Sequence, residues 1–194
     1  MRQPKVSTEE RRTLILDTTE ALLVEVGNGA LTMRKIAAAA EISLGNLQYH
    51  FATREDVLLA LLMRFLEPYE ARFQNPPTDM PEDVVEALKP MFLEVLSIPD
   101  FDRCATIYKE IWAASSHSPE MRKTLNSYYK RLFAFYREVL ACVAGHKTEP
   151  LKIERAVAAL MPTLEGYCIT RDAVDVPVET IAEDWAKMAT ALLR

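Results

Sequence analysis

The stretch LTMRKIAAAAEISLGNLQYHF, residues 31–51, decides the fold of this chain. Thr32 and Ser43 each stand just before a short segment of helical apolar spacing, and both residue types are good helix N-caps. The pattern predicts two short helices, the second over residues 44–50, with a turn near Glu41 between them. Two helices connected by about three or four residues are typical of a helix-turn-helix.

The residues of this stretch meet the packing demands of two helices that cross at an angle. Ala37 is small enough to let the helices approach, and Ile42 and Leu47 can fill the angle between them. The outer face of the second helix is free of large apolar side chains at Gly45, Asn46 and Gln48. On periodicity alone, a helical hairpin inside an ordinary bundle explains the spacing equally well.

Helix signals continue on both sides of this stretch. Ser7 or Thr8 can cap a first helix, which the glycines around Asn28 are expected to stop. Thr53 can cap a fourth helix, whose apolar spacing continues until Asn75-Pro76-Pro77 interrupts it.

Five more helices are predicted, each opening near a proline (the first two at Pro81 and Pro99), a residue tolerated in a first helical turn: residues 81–97, 99–116, 118–144, 150–173 and 177–193. Pro90 and Pro162 fall inside two of these segments, so we expect a kink or a break at each. No alternating run is long enough to indicate a strand. The sequence therefore predicts an all-α fold.

Composition also favours helix. Ala and Leu together number 47 of the 194 residues, against 22 for Val and Ile, and unbranched side chains lose less freedom in a helix. The longest apolar run, Val57–Met63, is far shorter than the roughly 20 residues that span a bilayer. Because no secretory signal opens the chain, we expect a cytoplasmic protein with no membrane partner.

The net charge of −5 is unevenly distributed. Residues 1–55 contain seven Lys or Arg and seven acids, whereas residues 56–194 contain 16 basic and 21 acidic residues. The whole acidic excess therefore lies downstream, and the N-terminal quarter can present a basic face to nucleic acid.

Sequence features of an enzyme are missing. The three histidines, His50, His117 and His146, are far apart, and no HExxH, GxGxxG, Walker or GxSxG motif occurs. The three cysteines are odd in number and widely spaced, which argues against a CxxC metal site and a disulfide framework. We expect no catalytic residue, no metal and no cofactor. If the helix-turn-helix pattern does not bind DNA, the alternative interpretation is a helical adaptor or a structural dimer without specific DNA binding.

The central stretch and its flanks resemble the DNA-binding signature of the TetR family of transcriptional regulators. The matching segments are Leu31–Ala37, Ser43–Phe51 and Thr53–Leu58, and the resemblance covers about residues 8–62. It implies an N-terminal three-helix helix-turn-helix unit over residues 1–52, and a six-helix ligand-binding and dimerisation domain over residues 53–194.

Three positions depart from the family pattern. Glu41 stands in the turn where glycine is usual, Gln48 where a phosphate-contacting tyrosine is common, and Arg54 where lysine is common. The turn therefore differs from the family's, or Glu41 accepts a strained backbone.

The resemblance also implies which residues contact double-stranded operator DNA. Arg34 is suited to a guanine edge, and Leu44 to a thymine methyl. The phosphate candidates are Thr32, Tyr49, His50 and Arg54, while Gly45 and Asn46 lie on the exposed start of the recognition helix and Gln48 suits adenine or phosphate. An N-terminal arm with Arg2, Lys5, Arg11 and Arg12 can add backbone or minor-groove contacts, although a solvated arm is the favoured alternative. For His50, a packed histidine explains the residue equally well.

Two apolar stripes on the last two helices predict a homodimer interface. One stripe contains Leu160, Leu164 and Tyr167, and the other contains Ile181, Trp185, Met188 and Leu192. The alternative is that both stripes face the core of the monomer.

A set of methionine and aromatic residues between the DNA unit and the dimer stripes is a candidate lining for an unidentified small-molecule effector: Met63, Phe92, Tyr108, Trp112, Tyr128 and Phe133. Such residues are more often core than pocket, and the family resemblance is what favours a cavity. The resemblance implies a ligand-responsive repressor that binds a near-palindromic operator as a dimer and is released by the effector.

Overall fold

The computed structural model describes residues 7–73, 83–98, 101–145 and 148–194. Within these ranges the chain forms nine α-helices and no strand, so the all-α prediction is confirmed. The helices are α1 (Thr8–Ala30), α2 (Met33–Ala39), α3 (Leu44–His50), α4 (Arg54–Phe73), α5 (Val84–Leu96), α6 (Phe101–Ser115), α7 (Pro119–Ala144), α8 (Pro150–Thr170) and α9 (Val178–Leu193). A 3₁₀ turn, Arg171–Ala173, follows α8.

The described residues form two compact units. The first comprises residues 7–67 and 106–128, and the second comprises residues 68–73, 83–98, 101–105, 129–145 and 148–194. The predicted boundary after residue 52 separates a DNA-binding region from a ligand-binding region, whereas the two units are defined by their internal contacts. The boundary therefore stays a prediction.

The core of the first unit is built from one apolar face of each of its helices. Leu23 of α1, Ile36 of α2, Leu47 of α3, Leu61 of α4 and Ile111 of α6 are all inaccessible to solvent. Burying five such side chains stabilises the unit by about 1.5–3 kcal/mol each. The helix-turn-helix is therefore fixed to α1 and α4 by apolar packing.

The second unit is organised around α9, which packs mainly against α5 and also against α8. The Trp185 ring of α9 meets Phe92 of α5 edge-on at 5.9 Å and Tyr167 of α8 at 5.7 Å. At the surface, Lys89 Nζ donates to Glu183 Oε2 at 2.8 Å and joins α5 to α9.

The predicted helix starts around the central stretch are confirmed. The Ser7 hydroxyl accepts from the Glu10 amide, and the Glu10 carboxylate accepts in return from the Ser7 amide, which completes a capping box. Thr32 and Ser43 cap α2 and α3 through their hydroxyl oxygens. Thr53 caps α4 in the same way, since its hydroxyl accepts from the Asp56 amide at 3.1 Å.

Of the kink or break expected at Pro90 and Pro162, the break is wrong, because α5 and α8 continue through both residues, and the kink stays a prediction. A proline inside a helix removes one amide donor and leaves the carbonyl four residues earlier without its partner. Both prolines lie on the solvent side, and so do Glu86 and Ala158, whose carbonyls lose that partner. Water can satisfy these carbonyls, so the helices tolerate the prolines.

The glycines around Asn28 interrupt the first helix at Gly27, as predicted. Gly27 adopts φ 70° and ψ 167°, and the chain then forms one more helical turn that ends at Ala30. The Leu31 amide closes this turn on the Asn28 carbonyl at 3.2 Å. A left-handed φ costs glycine little because it has no Cβ.

Several predicted features lie outside the described residues: Arg2, Lys5, Asn75-Pro76-Pro77, Pro81, Pro99 and His146. Among the residues that the structure does describe, no helix combines the length and the apolar character that crossing a bilayer requires.

Candidate nucleic-acid interface

The turn between α2 and α3 is a tight helix C-terminus. The Ile42 amide donates to the Ala37 carbonyl at 3.0 Å, and the Glu41 amide donates to the Ala38 carbonyl at 3.2 Å. Glu41 itself takes φ 53°, in the left-handed region where glycine is usual. Of the two expectations for this position, the structure follows the second: Glu41 accepts the strained backbone, and the turn keeps its usual form.

α3 has one buried face and one open face. Leu47 is fully buried, whereas Gly45, Asn46, Gln48 and Tyr49 are exposed. A Cβ atom added at Gly45 would meet no atom within 4 Å, so the protein itself does not require glycine there. The open face can therefore enter a groove of DNA without disturbing the core.

Exposed cationic and hydroxyl groups lie at the start of α2 and at the end of α3. Arg34 and Lys35 are exposed on the first turn of α2, and the exposed Thr32 caps that helix. Tyr49 is 80% exposed at the end of α3. These positions match those expected of phosphate and base contacts around a recognition helix.

His50 and Arg12 are tied into the protein more closely than the sequence predicted. The His50 ring is half-buried, and its Nδ1 is buried with no hydrogen-bond partner among the described residues. Arg12 donates to the His50 carbonyl at 3.0 Å and lies over the Phe51 ring at 4.3 Å. Arg12 thus connects α1 to the end of α3, and a separate contact to DNA is not needed to explain it.

Arg54 has intramolecular partners where the resemblance implied a phosphate contact. Its Nη1 donates to the carbonyls of Asn28 and Leu31, both at 3.3 Å, and its Nη2 donates to Glu55 at 3.2 Å. The guanidinium therefore faces the end of α1. Sequence reasoning missed this arrangement because the partners lie more than 20 residues away, and no local pattern points to them.

Four of the candidate effector residues lie in the first unit. Tyr108 of α6 and Tyr128 of α7 join their hydroxyl groups in a hydrogen bond, and Phe65 lies 6.3 Å from the Tyr108 ring. Met63 lines a separate cleft of about 610 Å³ that α1 and α4 border. Trp112 is 53% exposed, so it is not part of the buried core.

The remaining candidates lie in the second unit. Phe92 is buried against Trp185, and Phe133 is half-buried with its ring 6.4 Å from that of Tyr129. Phe92 therefore has a core role that accounts for it without an effector.

The residues predicted for the dimer interface also lie in the second unit. Four of them are buried there, namely Leu160, Tyr167, Ile181 and Trp185, and three are half-buried, namely Leu164, Met188 and Leu192. The packing of Trp185 against α5 shows that the buried four do not need a second copy to leave water. Elsewhere on α8, Leu151 and Ile169 are exposed apolar residues.

Comparison with known proteins places this geometry in context. Residues 15–61 match the model of the family described as bacterial regulatory proteins, tetR family. An uncharacterised HTH-type transcriptional regulator of Xanthobacter autotrophicus is 29% identical over 93% of this chain and 89% of its own length. The HTH-type transcriptional repressor KstR of Rhodococcus jostii is 38% identical over 36% of this chain and 32% of its own length.

The fold also matches solved structures. The multidrug binding protein EbrR, complexed with ethidium, superimposes with a TM-score of 0.65 over 95% of this chain and 99% of its own, at 26% identity. A capped α2, a tight turn and an α3 with an open outer face define a helix-turn-helix DNA-binding protein. Residues 15–61 therefore match the tetR family of bacterial regulatory proteins, and the chain is similar over nearly its whole length to an HTH-type transcriptional regulator.

Proposed function

We propose that this regulator is a repressor that binds a near-palindromic operator as a homodimer and leaves the DNA when a small molecule binds. The observation that carries the proposal is the division of α3 into a fully buried Leu47 and an open face of polar and small residues. The repressor name of the relative KstR and the ethidium complex of EbrR support the regulatory part. We also propose that the chain acts in the cytoplasm, without catalysis of its own.

The proposed DNA contacts divide into two kinds. Arg34 reads a guanine edge, and Leu44, Gly45, Asn46 and Gln48 approach the other bases, which sets sequence preference. Thr32, Tyr49 and His50 contact phosphates, which set affinity and register. Arg34 is the most informative of these residues because its side chain is exposed, so that its removal leaves the core intact.

A single helix-turn-helix covers too few base pairs to select one site in a genome, so the proposal includes a dimer. We place the interface on α8 and α9, where Leu164, Met188 and Leu192 are half-buried and Leu151 and Ile169 are exposed. Two copies meeting through these helices would form a four-helix bundle, and the dimer would carry two recognition helices.

The proposed effector site is the cluster of Tyr108, Tyr128 and Phe65 in the first unit. Tyr108 is half-buried and Tyr128 is buried, and their hydroxyl groups are hydrogen-bonded to each other. A polar atom of an effector can take the place of one hydroxyl group as the hydrogen-bond partner of the other, so that neither is left unsatisfied. Effector binding causes release only if it favours the state that binds DNA poorly.

Selection of bound duplexes from a random DNA pool at about 150 mM salt tests the proposal, because specific and non-specific binding separate at that salt concentration. The wild-type protein should enrich a near-palindrome, and Arg34→Ala should lose preference at one or two base pairs of each half-site, at a cost of about 1–3 kcal/mol per pair. No enrichment by a folded wild-type protein would refute the proposal.

A further inference from the structure

The main chain of Asn28 is held from two sides by charged groups of distant helices. Glu110 Oε2 of α6 accepts a hydrogen bond from the Asn28 amide at 2.7 Å, across 82 residues of sequence. Arg54 Nη1 of α4 donates to the Asn28 carbonyl at 3.3 Å, and also to the Leu31 carbonyl at 3.3 Å. The Glu110 carboxylate and the Arg54 guanidinium therefore bind the two polar main-chain groups of Asn28, its amide and its carbonyl.

The backbone at Gly27 explains why these partners are needed. Its non-helical φ and ψ interrupt α1, so the Asn28 amide opens a new turn and takes an acceptor from outside α1. A carboxylate at such a position is favoured both as an acceptor and by the dipole of the turn. A Cβ atom added at Gly27 would lie 3.2 Å from Glu110 Oε2, which shows how closely the carboxylate approaches the bend.

The side chain of Asn28 does not replace these contacts. Its Oδ1 is buried and has no hydrogen-bond partner within the described ranges. The position is therefore held through the main chain, by charge-assisted hydrogen bonds that are stronger than neutral ones.

The held segment leads directly into the DNA-reading helices. Only three residues separate Asn28 from Thr32, whose hydroxyl starts α2, and the tight turn at Glu41 joins α2 to α3. A small rotation at Asn28 would therefore move α2 and α3 together.

We propose that Arg54 and Glu110 are positioning residues for DNA binding: they hold Asn28 between them and so orient α2 and α3 without touching DNA. This inference rests on the proposed DNA-binding function. It gives Arg54 a role other than the phosphate contact that the family resemblance implied. For Glu110 it predicts that removal of the carboxylate weakens DNA binding. Charge alone predicts the opposite, since loss of an acid ordinarily strengthens binding to DNA.

The first test compares Glu110→Ala with Glu25→Ala, which removes an exposed carboxylate from α1 near the same bend. Binding to the duplex enriched by selection is measured well below the unfolding temperature, so that reduced stability alone leaves affinity unchanged. Glu110→Ala should weaken binding about tenfold or more, since it leaves a part-buried amide without its charged acceptor. Glu25→Ala should bind at least as tightly as wild type, and Glu110→Gln, which keeps an acceptor oxygen, should restore most of the affinity.

The second test uses the salt dependence of binding to separate the two roles of Arg54. Loss of a phosphate contact lowers the slope of log affinity against log salt by about 0.9. We expect Arg54→Ala to weaken binding by a similar factor at every salt concentration, with the slope unchanged. Arg54→Lys should not rescue it, because an ammonium group lacks the fork that spans two carbonyls.

A readout without DNA keeps this inference separate from the proposed function. Hydrogen exchange of the Asn28 amide should be slow in the wild-type protein and fast in Glu110→Ala. If the wild-type protein binds no duplex, the proposed function fails while the exchange result still tests the contact. The inference would be overturned if Glu110→Ala bound DNA with wild-type affinity. It would also be overturned if Arg54→Ala had a reduced salt slope and Arg54→Lys restored binding.

Discussion

Glu41 keeps the family's turn at the cost of a strained backbone. A non-glycine residue in the left-handed region is disfavoured by about 1–2 kcal/mol, and Glu41 has φ 53°. We therefore predict that Glu41→Gly stabilises the protein by about 1 kcal/mol in chemical denaturation, while Glu41→Ala, which also lacks the charge, does not. Equal stability of the two variants would show that charge, and not backbone strain, decides this position.

Glu165 is a half-buried acid that the DNA-binding account does not use. Burial raises the pKa of its carboxyl, and the hydrogen bond that Tyr129 Oη donates to it at 3.0 Å lowers that pKa only in part. Burial, together with the Glu165 charge, raises the pKa of the Tyr129 hydroxyl in turn. Both groups therefore favour their neutral forms.

This environment predicts a pH dependence of stability. Because the folded pKa of Glu165 lies above its ordinary value of 4.5, its contribution is fully present below that pH and is lost as pH rises through the folded pKa. Glu165→Gln keeps an acceptor for Tyr129 and removes the charge, so its stability relative to wild type should increase from pH 4.5 to pH 8. A difference in unfolding free energy that stays constant over this range would contradict the assignment.

At the scale of the residue, sequence reasoning succeeded where the cause is local. The hydroxyl caps at Thr32 and Ser43 act within three residues, so the sequence around them contains the whole interaction. Arg54 and Glu110 could not be assigned in this way. Their shared partner, Asn28, lies 26 and 82 residues away, and it is the main chain rather than a recognisable side chain that they bind.

At the scale of the helix, apolar periodicity identified the buried faces but not what covers them. Trp185 was expected on a dimer stripe, and it packs in the second unit against Phe92 and Tyr167. Periodicity shows only that a face avoids water, and a neighbouring helix or a second copy satisfies it equally. Pro90 and Pro162 show the same limit, since their tolerance depends on which side of the helix meets solvent.

The two tryptophans give a matched test of this packing. Trp185 is 9% exposed and Trp112 is 53% exposed. Trp185→Ala should destabilise the protein by about 3–5 kcal/mol, whereas Trp112→Ala should change stability by about 0.5 kcal/mol or less. Equal losses in thermal or chemical unfolding would contradict the assignment of Trp185 to the core of the second unit.

At the scale of the whole molecule, we propose that two copies of α3 read one operator together. The sequence predicted the helix-turn-helix and the all-α fold because both follow from short-range patterns. It could not predict the operator, which depends on how side chains meet base edges, nor the dimer surface, which depends on tertiary packing.

The most direct measurement is the affinity of the wild-type protein for the selected near-palindrome and for a duplex of equal length with one half-site scrambled. We predict two chains per duplex and binding at least about a hundredfold tighter to the intact site, since several half-site contacts of about 1–3 kcal/mol are lost together in the scrambled duplex. Arg34→Ala should lose the part of this difference that comes from the one or two base pairs it reads, about 1–3 kcal/mol per pair. Equal affinity for both duplexes, or one chain per intact site, would contradict the account.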